Sequence, residues 1–195
     1  MNKRVILITG TPCVGKTTLA QKLAQTLNAQ YINLTDLAEK ENLTLGKDKE
    51  RDTTIIDEVK MRRKLRQIIE KTDQTDLVID GHYAAAVTPK TMTSNIFVLR
   101  RHPAELRTLM QKRDYNNLKQ SENLSAEILD VCLVEALQKQ PSEKVCEIDI
   151  TGKTVDATLA EVIKVLEGKQ KCYFGFVDWL GLLEREGKID EYLST

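Results

Sequence analysis

The run Gly10-Thr11-Pro12-Cys13-Val14-Gly15-Lys16-Thr17 has the spacing G-x-x-x-x-G-K-[ST], and it stands between an apolar strand-like run, Val5 to Thr9, and an amphipathic helical stretch. That setting turns a short pattern into a mechanism. Glycines let the chain wrap closely around a phosphate, and the loop N–H groups together with the helix N-terminus supply fixed donors for the β- and γ-phosphates of a nucleoside triphosphate. Lys16 adds a cation, the Thr17 hydroxyl is placed to reach Mg²⁺, and Thr18 to donate near the α-phosphate. Gly10, Cys13, Gly15, Lys16, Thr17 and Thr18 are therefore the triphosphate-binding candidates. The Cys13 thiol would sit at the positive end of the helix.

A second group belongs to the same chemistry. Leu77-Val78-Ile79-Asp80 is an apolar strand ending in an acid, the arrangement that brings a carboxylate to Mg²⁺ or its waters, so Asp80 joins Thr17 as a metal-side candidate. His82 follows two residues later, at the edge where open α/β sheets bind ligands, and is a candidate for positioning the acceptor or orienting water.

These side chains need a scaffold. Five strand-like runs, near Val5 to Thr9, Tyr31 to Asn33, Leu77 to Asp80, Ile96 to Leu99 and Val145 to Ile150, alternate with helical stretches. The helices are read at Lys16 to Leu27, Leu34 to Glu41, Ile55 to Lys71, Pro103 to Lys112, Ser125 to Lys139 and Thr154 to Glu167, with Pro103 as a first helical residue and Ser125 as an N-cap. Continuous apolar strands alternating with helices predict an α/β fold of three layers: a five-stranded parallel sheet with helices on both faces, the P-loop NTPase arrangement. Two polar stretches, Thr44 to Thr54 and Arg113 to Leu124, read as insertions on the binding side.

The 195 residues suffice for one domain, and 29 basic residues balance 29 acidic ones, which gives no field that demands nucleic acid or a membrane surface. Four apolar residues after Arg4 are too few for a signal-peptide core and no long apolar run follows, so the reading expects a cytoplasmic protein. Cys13, Cys132, Cys146 and Cys172 are scattered without a Cys-x-x-Cys pair, which suggests neither a disulfide framework nor zinc. Beyond a hinge at Gly168 to Lys171, residues 171–195 hold five of the nine aromatics; they read as an amphipathic element that packs on the protein's own body or docks a partner. Lys60, Arg62, Arg63, Lys64 and Arg66 read as a solvated helix face, with RNA or an acidic protein tail as the alternative.

The phosphate loop, Tyr31-Ile32-Asn33 with Asp36-Leu37-Ala38, Asp80-Gly81-His82, Val98-Leu99-Arg100, and Arg113-Asp114-Tyr115-Asn116 with Lys119, Glu122 and Asn123 together resemble the nuclear-type adenylate kinases, also called adenylate kinase isoenzyme 6, which have archaeal members. The resemblance spans roughly residues 1–170. It implies a nucleoside monophosphate kinase using ATP and Mg²⁺, chiefly ATP + AMP = 2 ADP, with ATPase activity and a part in maturation of the pre-ribosomal small subunit through ribosomal protein S11. It further implies a monophosphate-binding segment at about residues 33–56 and a lid at about 112–122 from which Arg113 closes over ATP. Within and beside that first segment, Arg51 is the candidate for the acceptor phosphate, Asp36, Asp52 and Asp57 are candidates for base or ribose, and Asn33 is a substrate-binding candidate. Three departures stand out: Cys13 and Asp114 replace glycines usual in the family, and Leu109 stands where an arginine is usual, with Arg107 as a compensating candidate.

An ionised monophosphate oxygen needs little acid–base help, so alignment and charge neutralisation by Lys16, Mg²⁺ and Arg113 carry the expected catalysis. The rival readings are a ribosome-assembly ATPase and a small-metabolite kinase, the latter needing a positioned base. A switch GTPase is disfavoured, because no Asn-Lys-x-Asp sequence is present.

Overall fold

The computed structural model describes residues 3–48 and 53–193. In chain order the elements are β1 (Arg4–Gly10), α1 (Lys16–Leu27), β2 (Gln30–Asn33), α2 (Leu34–Lys40), β3 (Thr44–Asp48), β4 (Thr53–Ile56), α3 (Glu58–Lys71), β5 (Asp76–Asp80), α4 (Ala84–Val87), β6 (Asn95–Arg100), α5 (Pro103–Gln111), α6 (Asn117–Ile128), α7 (Val131–Lys139), β7 (Val145–Asp149), α8 (Val155–Leu166), α9 (Trp179–Arg185) and α10 (Ile189–Leu193). Five strands form one sheet in the order β2-β5-β1-β6-β7, all parallel. This is the fold class expected from the alternation.

Side-chain alternation along the strands creates two cores. Ile6, Ile8, Val78, Phe97, Leu99 and Ile148 face a layer containing Leu19 and Leu23 of α1 and Val162 of α8, while Val5, Leu7, Leu77, Ile79, Ile96 and Val98 face Met61 and Leu65 of α3 and Leu133 of α7. Both faces of the sheet are therefore dry, which is why the strands read as unbroken apolar runs. Among the described residues, no helix is long and apolar enough to cross a membrane.

Several boundaries differ from the sequence reading. Residues 55–71 do not form one helix: Thr53-Thr54-Ile55-Ile56 pair with β3 in an antiparallel hairpin, as β-branched residues favour. Asp57 then caps α3, its carboxylate accepting from the Lys60 N–H at 3.0 Å. Residues 125–139 are likewise two helices, and Ser125 lies inside α6 rather than at an N-cap. The cap is Asn116, which accepts from the Lys119 N–H at 2.8 Å, so most of the expected insertion at 113–124 is helical. Asp130 breaks the chain between α6 and α7 in the left-handed region, φ 58°. A long-range contact meets the break: Arg100 donates to the Glu127 carbonyl at 2.8 Å, which also accepts from the Asp130 N–H at 3.3 Å, and to the Asp130 carboxylate.

Cys146 and Cys172 are joined as a disulfide, contrary to the expectation from their spacing; the fold brings β7 and the segment after α8 together across 26 residues of separation. In the C-terminal element, Val177, Trp179, Leu183 and Tyr192 are buried against the α1 side of the sheet, whereas Tyr173, Phe174 and Phe176 are exposed. The basic run on α3 is partly engaged within the protein: Arg62 donates to the Ala86 carbonyl, and Lys60 and Lys64 pair with Asp57 and Glu41.

Candidate active site

The site lies at the C-terminal ends of the parallel strands, where β1 passes through the phosphate loop into α1. Gly10 ends β1 at φ 134°, and a Cβ there would lie 2.5 Å from the Leu99 carbonyl oxygen, so no larger residue fits. Gly15 caps α1 at φ 115°. Cys13 and Asp114, the two positions where the resemblance leads one to expect glycine, both adopt the left-handed region, φ 68° and 54°. The backbone keeps the glycine conformation with a different side chain, at a cost of about 1–2 kcal/mol for a residue with a Cβ.

Around this loop is a cavity of about 600 Å³ whose walls include Thr11, Cys13, Gly15, Lys16, Thr17, Thr18, Asn33, Asp80, His82 and Arg113. The structure thus brings Asp80, His82, Arg113 and Asn33 to one cavity with the triphosphate-side candidates other than Gly10. Lys16 donates from Nζ to the Thr11 carbonyl at 2.9 Å, and burial lowers its pKa. The Thr17 hydroxyl donates to Asp80 Oδ2 at 2.6 Å, which sets two hard oxygen donors side by side. Two further donors converge on the same carboxylate oxygen, Tyr31 Oη at 3.1 Å and Asn33 Nδ2 at 3.0 Å. Burial first, with Asp80 adding to it, pushes the Tyr31 hydroxyl up to about 12, so it remains a proton donor.

Tyr31 was not singled out for the site. Its signal was the alternation Tyr31, Asn33 along a strand, which puts both side chains on one face; the register Asn33 opposite Asp80 makes that face meaningful. Asn33 serves twice, because its Oδ1 also caps α2 by accepting from the N–H groups of Thr35 and Asp36.

His82 opens onto the cleft. Desolvation by the cleft walls, then the Lys16 charge, draw its pKa down to about 4, so the imidazole is neutral at physiological pH. Its backbone carbonyl accepts from the Thr9 hydroxyl at 2.9 Å, fixing the loop after β5 against β1. Arg113 reaches over the phosphate loop, Nη1 lying 3.8 Å from Cys13 Sγ.

The monophosphate candidates divide. Asn33 lines the cavity, as do Thr53, Thr54 and Ile56 of the hairpin. Asp36 is exposed on α2 and Asp57 is occupied as the α3 cap, with Lys60 Nζ at 3.2 Å; neither lines the cavity. Arg51 and Asp52 lie outside the described residues. Arg107 does not compensate for Leu109: it turns to the C-terminus, pairing with Glu191 at 2.6 Å and lying 3.8 Å over the Tyr192 ring. Leu109 instead helps line a smaller cavity of about 210 Å³ on the other side of the phosphate loop, with Arg101, Arg113, Ile150 and Val155.

Magnesium fits this donor set only in company. Thr17 and Asp80 offer oxygens of the kind Mg²⁺ prefers, yet six are needed, so the phosphates and water must supply the others. Among the described residues, no cluster of three or more His, Cys, Asp or Glu side chains is arranged to hold an ion.

Fold and site together define a P-loop nucleotide-binding protein. Residues 6–130 match the family model described as "AAA domain". The chain is 35% identical to a Methanococcus maripaludis protein named "Putative adenylate kinase", over 90% of this chain and 95% of the relative. It is 36% identical to a Pyrococcus furiosus protein of the same name, over 92% and 93%. Among solved structures, a shikimate kinase from Acinetobacter baumannii in complex with shikimate superposes with a TM-score of 0.60 at 14% identity, covering 86% of this chain and 95% of that one, a likeness of fold alone. The chain belongs to the family of these archaeal relatives and carries its AAA domain.

Proposed function

We propose that the protein is an ATP-dependent nucleoside monophosphate kinase, with ATP + AMP = 2 ADP as its main reaction. One observation carries this reading: the cavity that holds Lys16, Thr17 and Asp80 extends to a second wall made of Asn33 and the hairpin residues Thr53, Thr54 and Ile56, leaving room for an acceptor facing the triphosphate. The name borne by the relatives supports it.

In this mechanism the loop N–H groups and Lys16 hold the β- and γ-phosphates of Mg-ATP, with Thr17 and Asp80 on the metal side. Tyr31 and Asn33 keep the Asp80 carboxylate in place. The smaller cavity beneath Arg113 takes the adenine of ATP, with Ile150 and Val155 against the ring. The acceptor enters between Asn33 and the hairpin and attacks with an oxygen that is already ionised, so no general base is required. Lys16 and Arg113 neutralise charge on the γ-phosphoryl group as it transfers, and Arg113 closes from the turn 112–116 and the start of α6. Arg51 is kept as a candidate for the acceptor phosphate.

Hydrolysis with water as acceptor is a second reading, favoured by the neutral His82 imidazole at the cleft, which is able to accept a hydrogen bond from water. A part in small-subunit maturation would rest on that activity. The test is ADP formation from Mg-ATP with AMP, CMP, UMP or GMP against no acceptor: stimulation by AMP above the others is expected, and equal rates with and without every acceptor would overturn the kinase.

A further inference from the structure

Thr11 is a phosphate-loop residue whose side chain turns away from the loop's own donors. It is buried, and its hydroxyl donates to Glu127 Oε2 at 2.5 Å. Glu127 lies in α6, is 1% exposed, and does not line the cavity. Its other oxygen accepts three donors: Arg100 Nε at 3.0 Å, the Arg101 N–H at 3.1 Å and Trp179 Nε1 at 3.1 Å. Arg100, also 1% exposed, continues to Glu147 Oε1 at 2.5 Å. The second oxygen of Glu147 accepts the N–H groups of Gly175 at 2.8 Å and Phe176 at 3.1 Å. An unbroken chain of buried charged groups therefore joins the phosphate loop to the C-terminal element.

A buried carboxylate is tolerated only when its lone pairs are filled, and here the C-terminal element fills part of them. Thr11 is held from both sides: Glu127 fixes its side chain, and its carbonyl is the oxygen to which Lys16 donates. We propose that Glu127 is a positioning residue for the phosphate loop, holding Thr11 so that the loop N–H groups stay aimed at the triphosphate, and that Trp179 makes the C-terminal element part of that support. This rests on the phosphate loop being the ATP site.

The test uses the full chain with Glu127→Gln, Thr11→Val, the double variant, and Trp179→Phe. Arg100 keeps Glu147 and Asp130 as partners in Glu127→Gln, so the fold has two remaining anchors. ATP affinity is read by equilibrium titration without acceptor, beside the melting midpoint and the KM values for ATP and AMP. Glu127→Gln and Thr11→Val are each expected to weaken ATP binding about tenfold, the scale of one charge-assisted hydrogen bond. Because both act on the Thr11–Glu127 bond, Glu127→Gln by taking away its charge and Thr11→Val by removing it, the double variant should be no weaker than the worse single. Trp179→Phe should weaken ATP binding by about threefold, with KM for AMP unchanged in all. A residue acting only on stability would lower the melting midpoint and leave the ATP affinity of the folded protein alone; that result, or additive losses in the double variant, would overturn the proposal. Should Glu127→Gln fail to fold, Thr11→Val and Trp179→Phe decide it. Wild-type protein that binds no ATP would overturn the kinase reading instead.

Discussion

Lys16 and His82 share one cleft, and burial there lowers the pKa of both. In the proposed reaction Lys16 faces the phosphates, and removing a preorganised cation at the transferring group costs on the order of 10²-fold in rate. Lys16→Ala should therefore lower kcat by about that factor or more; steady-state rates within twofold of wild type would contradict the assignment. His82 stays neutral because desolvation and the Lys16 ammonium hold its pKa near 4. Between its ordinary 6.5 and 4, the unfolded chain binds a proton that the folded protein refuses, so this residue subtracts stability as the pH falls through that window. His82→Gln should show a smaller fall in melting midpoint over the same window, and coincident pH profiles for the two proteins would refute it.

At the scale of elements, the parallel sheet and the phosphate loop were legible because strand composition and the glycine spacing both report local physics. The α6–α7 break was not, since the side chain that meets it, Arg100, lies about 30 residues earlier in the chain. The Cys146–Cys172 pairing was hidden for the same reason, and Arg107 was misread because its partner, Glu191, is 84 residues away. Asp80 was found from strand position alone, whereas Tyr31 needed the register of β2 against β5. Gly10 tests the strand-to-loop joint most sharply. Gly10→Ala places a methyl group against the Leu99 carbonyl on a backbone angle that disfavours it, a cost of about 1–3 kcal/mol from the angle alone. Chemical denaturation should show a loss at least that large, and an unchanged midpoint would mean that β1 and β6 are farther apart than described.

For the whole molecule, the C-terminal element is part of the folded body. Trp179, Leu183 and Tyr192 are buried, and Gly175, Phe176 and Trp179 supply donors to Glu147 and Glu127. Truncation before Gly168 would uncover that apolar surface and leave both carboxylates short of partners. The truncated chain should melt lower and associate in light scattering; a monodisperse protein with the wild-type midpoint would show that the body does not need the element. The exposed rings of Tyr173, Phe174 and Phe176 are a separate matter: the backbone of Tyr173 and Phe176 is tied to Glu147 while the side chains face outward.

The central claim is that the two halves of the cleft hold donor and acceptor together, and the stoichiometry of the reaction tests it most directly. With AMP present, phosphoryl transfer to the acceptor yields two ADP for each ATP consumed and no inorganic phosphate. That is the result expected here. One ADP and one phosphate per ATP, at the same rate with or without AMP, would contradict it and make the protein an ATPase.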